Sequence, residues 1–224
     1  MIYELHFSDV WRHFDVLLLG AWLTVRLAAT AMLFGFVVGV VCACLRSVYP
    51  KLFVPVIEAY VQIIRNTPFL IQIFLVYFGF PRIGIRLDAN EAAISALVVN
   101  VGAYASEIIR GGVESISRGQ IESGLALGLR RIQVFWLIIL QPALQTVYPA
   151  LTSQFILVML SSSVLSVISA EELTAVANNL ISQTFRTTEV YLIVALIYLV
   201  LTLSFSAFFA LLGRLLYRSR RSSA

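Results

Sequence analysis

Apolar runs long enough to cross a bilayer constrain this chain more than any other feature. A helix needs roughly 20 apolar residues to span the hydrocarbon core. The first run, from Leu17 to Leu45, carries a single charge, Arg26. It is too long for the core of a cleavable signal peptide, and the acidic, aromatic start MIYELHFSDVWRHFD lacks the basic leader such a peptide needs. Further runs cover about 53–80, 91–110, 149–170 and 189–213. Only 12% of the residues are charged and 60% are hydrophobic, where soluble domains carry roughly 25% charge. The expected fold class is therefore an all-α, polytopic membrane helix bundle of five spans, forming a single transmembrane domain over 1–224.

Individual residues refine these spans. Gly35 and Gly39 form a G-x-x-x-G pair that permits close helix approach. The region from Ile132 to Ala170 is about twice the length one span needs, and Pro142 and Pro149 interrupt it. Proline suits the first turn of a helix, so a separate interfacial helix is expected over 132–148 and a new span from Pro149. Residues 1–16 read as an outer segment and 111–148 as an inner, cytoplasmic region. Cys42 and Cys44 are two apart in an apolar run and are expected to be small buried hydrophobes.

Orientation follows from the Lys/Arg bias of short loops. Arg46, Lys51, Arg110, Arg118, Arg130, Arg131, Arg214, Arg218, Arg220 and Arg221 fall on one side; Arg12, Arg82, Arg86 and Arg186 fall on the other. The excess places the C-terminus in the cytoplasm and the N-terminus outside. These clusters lie between apolar runs rather than on a basic face with interleaved aromatics, which argues against nucleic acid as a partner.

The inner polar segment is patterned. Ser117-Arg118-Gly119-Gln120 fits a capping box, with Ile116 and Ile121 as its hydrophobic staple. Gly128 supplies a left-handed stop. A stiff helix over 118–127 results, either a connector or a knob that docks another protein. Asp88-x-x-Glu91 and Ser169-x-x-Glu172 repeat the capping pattern, opening the third span and a short outer helix.

Polar groups inside spans are costly and mark pathways or interhelical pairs. Arg65, Gln62 and Gln72 share a face near Pro68, which frees a backbone carbonyl. Arg65 can pair with Glu58, cap carbonyls or meet a solute. Asn100, Tyr104 and Glu107 form a stripe at i, i+4 and i+7, and Glu107 can pair with Arg110. Ser161, Ser162 and Ser163 serve packing or a solute equally well.

These residues resemble the permeases of bacterial polar amino-acid ABC importers, of the histidine, glutamine and arginine type. Arg65-Asn-Thr-Pro-Phe-Leu-Ile-Gln72 is similar to the family's R-G-T-P-x-L-x-Q. Asn100-Val-Gly-Ala-Tyr-Ala-Ser-Glu107-Ile-Ile-Arg110-Gly-Gly is similar to N-x-G-A-Y-x-x-E-x-x-R-G-G. Glu122-Ser-Gly-Leu-Ala-Leu-Gly128 resembles the E-A-A-x-x-x-G loop, and Phe155–Leu173 also matches. Ser123 and Gly124 stand for the two alanines, and Leu160-Ser161 for a Lys-Asp pair that relatives often carry.

The resemblance implies a subunit of the bacterial cytoplasmic (inner) membrane that imports a polar amino acid. Its implied partners are a cytoplasmic ABC ATPase dimer, a second identical or related permease, an extracytoplasmic amino-acid-binding protein and the bilayer. Glu122, Ser123, Gly124, Ala126 and Gly128 would seat the coupling helix in the ATPase. Arg65, Gln72, Asn100, Tyr104, Ser161, Ser162 and Ser163 are the pathway candidates. The chain has no G-x-x-x-x-G-K-[ST], so it is not expected to be an enzyme or to bind a cofactor itself; ATP and Mg would sit on the partner. The alternative is an ion-coupled secondary transporter, which more often shows internal repeats and mid-span carboxylates.

Overall fold

A computed structural model describes residues 4–217; Arg218, Arg220 and Arg221, counted above on the inner side, lie outside the described residues. Every regular element among the described residues is a helix, and none is a strand. In chain order the helices are α1 (Ser8–Arg12), α2 (Phe14–Val48), α3 (Pro50–Arg65), α4 (Phe69–Phe74), α5 (Ala89–Glu114), α6 (Arg118–Ala126), α7 (Arg131–Val134), α8 (Leu140–Ser161), α9 (Leu173–Thr184) and α10 (Thr187–Tyr217). Four of the helical rods are long and apolar enough to cross a membrane, and a bent pair makes a fifth.

The centre of the bundle is the packing of α2 on α5, where the glycine pair works as expected. A Cβ on Gly35 would stand 2.5 Å from the Val101 Cβ, and one on Gly39 would stand 2.7 Å from the Ala105 Cβ. Alanines 92, 93, 96, 103 and 105 of α5 are buried, so two backbones meet with little side chain between them. In contrast α10 is mostly exposed and apolar, as a lipid-facing helix is.

Three expectations about element boundaries are corrected. The second span is broken: α3 ends at Arg65, α4 starts at Phe69, and the two arms meet at 106°. Pro68 cannot donate to the Ile64 carbonyl, and its ring drives Thr67 out of the helical region. The predicted interfacial helix at 132–148 is not separate from the fourth span; Arg131–Ile168 forms one rod of 38 residues. A π turn at Phe135–Ile139 widens the helix where Pro142 would otherwise strike the Ile138 carbonyl. Pro149 lies inside α8, without starting a helix.

The short helix expected on the outer side is the third correction. Asp88 and Glu91 form their reciprocal box at 2.8 and 3.0 Å. Ser169, however, ends a 3₁₀ segment at φ 58°, and Glu172 caps α9 instead, accepting from the N–H groups of Thr174 at 2.8 Å and Ala175 at 2.6 Å. A carboxylate has two acceptor oxygens at the positive end of the helix, which a hydroxyl does not match. Glu172 is fully buried and also accepts from the Tyr198 hydroxyl at 2.9 Å. Burial pushes its carboxyl above the usual carboxylate range, while these hydrogen bonds pull it back. At the same end Glu189, also buried, accepts from the His6 N–H at 2.9 Å and faces Arg186, which reaches Asp9 at 3.8 Å. Cys42 and Cys44 are free and buried.

Candidate functional site

The broken span creates a polar elbow in the bundle. The Ile64 carbonyl freed by Pro68 accepts from Gln72 Nε2 at 2.7 Å, and the same amide group reaches the Thr67 carbonyl at 3.1 Å and hydroxyl at 3.0 Å. Gln72 Oε1 accepts from Asn100 Nδ2 at 3.0 Å. Buried Gln72 thus replaces the missing helix hydrogen bond and ties the elbow to α5. Leaving that carbonyl bare would cost about 1–3 kcal/mol.

One helical turn along, the Arg65 guanidinium lies 5.3 Å from the centroid of the Tyr104 ring, a cation–π geometry. It reaches Glu107 Oε1 at 3.9 Å rather than pairing with Glu58. Glu107 also takes the anticipated fork from Arg110, at 3.1 and 2.6 Å. A third cation, Arg46 of α2, approaches Glu107 Oε2 at 3.6 Å. The stripe Asn100–Tyr104–Glu107 therefore faces Gln72 and Arg65, and the structure brings four of the pathway candidates into one site. Glu58, Gln62, Asn66 and Thr67 are exposed along the same side. Polar groups at membrane depth avoid lipid, which marks this side as facing water or protein.

The three serines do not join that network. Ser162 is fully buried and donates to the Met159 carbonyl at 2.6 Å; Ser163 donates to the Leu160 carbonyl at 2.8 Å. Ser161 is exposed. Arg46 entered the sequence argument only as a topology marker, because its partner lies far along the chain.

A second candidate surface is α6. It runs from Arg118 to Ala126, but the Ser117 side chain makes no capping hydrogen bond. Ile116 and Ile121, the expected staple pair, both pack on the same core cluster. Gly128 does adopt the left-handed conformation, φ 83°. The Gly128 N–H donates to the Leu125 carbonyl at 3.0 Å and the Leu129 N–H to the Gly124 carbonyl at 3.2 Å, the paired bonds of a Schellman stop.

Exposure sorts the α6 residues. Glu122, Ser123, Ala126 and Gly128 are exposed, and Ser123 donates back to the Gly119 carbonyl at 2.7 Å. Gly124 turns inward, where a Cβ would stand 2.4 Å from Ile138 Cδ1. Its small size serves packing within the chain. Glu122 lies beyond the first turn, so the helix dipole contributes little to it. Leu127, which sequence reasoning passed over, is 82% exposed. It lines a groove of about 590 Å³ with Gly119, Ser123, Leu137, Ile138 and Gln141. An apolar side chain so exposed beside a groove suits a docking surface.

A family model described as "Binding-protein-dependent transport system inner membrane component" matches residues 35–217. The probable glutamine ABC transporter permease protein GlnM of Bacillus subtilis is 36% identical over 199 residues, covering 89% of this chain and 92% of that one. The nopaline transport system permease protein NocM of Agrobacterium fabrum is 37% identical, covering 84% and 83%. The glutamine transport system permease protein GlnP of Escherichia coli is 33% identical, covering 91% and 94%. Among solved structures, a crystal structure of an amino acid ABC transporter with histidines superposes with a TM-score of 0.84 at 32% identity, covering 95% and 99%. An inward-facing MetNI methionine ABC transporter shares the fold at a TM-score of 0.78 and 22% identity, covering 92% and 98%.

Proposed function

We propose, from the premise that this chain belongs to the family of binding-protein-dependent transport system inner membrane components, that it is the permease subunit through which an ABC importer moves a polar amino acid into the cell. The observation that carries this reading is the exposed α6, stopped at Gly128, at the inner end of a bundle whose broken span holds a polar elbow. A cytoplasmic ATPase dimer would supply the work, with ATP and Mg on that partner and no cofactor on this chain. A second permease, identical or related, and an extracytoplasmic binding protein complete the assembly. Among the pathway candidates, Tyr104 offers a ring to a zwitterion and Ser161 a hydroxyl, while Arg65 lies over that ring. The relatives' names support an amino acid as cargo, and no observation favours ion coupling.

The decisive experiment is reconstitution with the cognate ATPase and binding protein. ATP-dependent uptake of a polar amino acid into proteoliposomes is the expected result. Uptake driven by an ion gradient without the ATPase would overturn the reading.

Topology is tested separately. Gly84 and Gln120 flank opposite ends of α5, whose 26 residues extend about 39 Å at 1.5 Å each. Cysteines placed at these positions are expected to label from opposite faces, 84 outside and 120 in the cytoplasm. Labelling of both from one face would reject the five-span, N-terminus-out arrangement.

A further inference from the structure

We infer that Glu107 is the joint through which movement of α6 reaches the elbow of the broken span. The inference rests on the importer reading above. Its first support is that α6 cannot move independently of the end of α5. Only Ser115, Ile116 and Ser117 separate the two helices, and they are wound tightly. The Ser115 N–H donates to the Gly112 carbonyl and the Ile116 N–H to the Val113 carbonyl, both at 3.2 Å, while the Ser115 hydroxyl adds a bond to Gly112 at 2.7 Å. The same body includes the start of the long rod. A Cβ on Gly112 would stand 2.6 Å from the Ala143 carbonyl oxygen, and Gly124 sits against Ile138. A push on α6 is therefore delivered to the inner part of α5.

Glu107 lies seven residues before Glu114, the last residue of α5, or about 10 Å up the helix. From there it faces three helices at once. Arg110 belongs to its own helix, Arg65 is the final residue of α3 before the break, and Arg46 lies near the end of α2. Only Arg110 is within hydrogen-bond distance, at 2.6 Å; Arg46 and Arg65 stand at 3.6 and 3.9 Å. Among the described residues, Glu114 pairs with Arg110.

The cluster therefore holds more donors than acceptors. Three guanidiniums carry up to five N–H groups each, and among the described residues the buried Nε of Arg46 has no hydrogen-bond partner. Arg46 and Arg65 are held by charge attraction without a fixed hydrogen-bond geometry. A displacement of α5 by an ångström or two tightens one pair and releases another. Gln72–Asn100 ties the elbow to α5 at a second point, seven residues nearer the outer end. Two ties on one helix turn a shift of α5 into a change in the angle between α3 and α4. Glu107 and Arg65 act here as positioning residues.

The test uses the complete reconstituted transporter. Its readout is the ratio of ATP hydrolysis with substrate-loaded binding protein to hydrolysis without it. Coupling energies between sites usually correspond to 5- to 150-fold effects, so Arg65→Met and Glu107→Gln are expected to lower this ratio and uptake roughly tenfold. Arg65→Lys, which keeps the charge, is expected to restore much of both. An uptake KM that rises in Arg65→Met while the hydrolysis ratio and maximal rate stay at wild-type values would make Arg65 a substrate contact and overturn the inference. Wild-type behaviour in both variants would also overturn it. Arg65 is 40% exposed, so its methionine variant gives the answer even if Glu107→Gln does not assemble. Absence of stimulation in the wild-type transporter would instead overturn the importer reading, and this inference with it.

Discussion

Gly128→Val is expected to abolish most substrate-stimulated ATP hydrolysis in the assembled transporter while leaving the chain inserted in the membrane. Gly128 sits at φ 83°, and a Cβ there would meet nothing within 4 Å. A Cβ there is not crowded, and the backbone conformation is the source of strain. An L-residue in the left-handed region costs roughly 1–2 kcal/mol, and a β-branched one fits it worse. Relief of that strain unwinds the stop and with it the bonds to the Leu125 and Gly124 carbonyls. The last turn of α6, carrying Ala126 and the exposed Leu127, then loses its fixed direction. A strain of 1.4 kcal/mol corresponds to about a tenfold loss of the correctly shaped end.

Glu122→Lys tests the same surface by charge, since the carboxylate is exposed. Both variants are expected to lose the ATPase in a mild-detergent pull-down, or to retain it with hydrolysis that no longer responds to loaded binding protein. Normal stimulation and uptake in both would reduce α6 to a connector. Gly124→Val is not an equivalent probe. Its side chain would strike Ile138 and damage the chain's own packing.

Gly39→Leu is expected to prevent accumulation of folded protein. The position of its Cβ lies 2.7 Å from the Ala105 Cβ and 3.0 Å from both the Ala105 carbonyl carbon and the Ser106 nitrogen. Two of those atoms are backbone, and α2 would have to move away from α5 to admit the side chain. Overpacking a core costs about 1–3 kcal/mol and sometimes more, and here it separates the central helix pair. Gly111→Ala is the matched control, because nothing stands within 4 Å of its Cβ. Size-exclusion profiles and thermal melting in detergent should show aggregated or absent Gly39→Leu protein beside a near-normal control. Equal yield and melting temperature for the two would mean that the close approach of α2 and α5 contributes little to folding.

Much of this protein is decided within single turns of the chain, and there the sequence suffices. Apolar length defines the spans, the Asp88–Glu91 pair starts α5, Gly128 stops α6, and the Gly35–Gly39 spacing makes a thin helix face. The last three are contests among neighbours a few residues apart, so their outcome depends little on the rest of the molecule. The bend at Pro68 was half legible: a freed carbonyl could be foreseen, but not the 106° angle nor the capture of that carbonyl by Gln72. The cap of α9 required knowing that Glu172 is buried beside Tyr198. The inward turn of Gly124 required the rod that packs on it. Glu107 depended most on the fold, for Arg46 and Arg65 reach it from other helices, 61 and 42 residues earlier in the chain. Coulomb attraction acts on distance in space, and only the packing of α2 and α3 against α5 sets that distance.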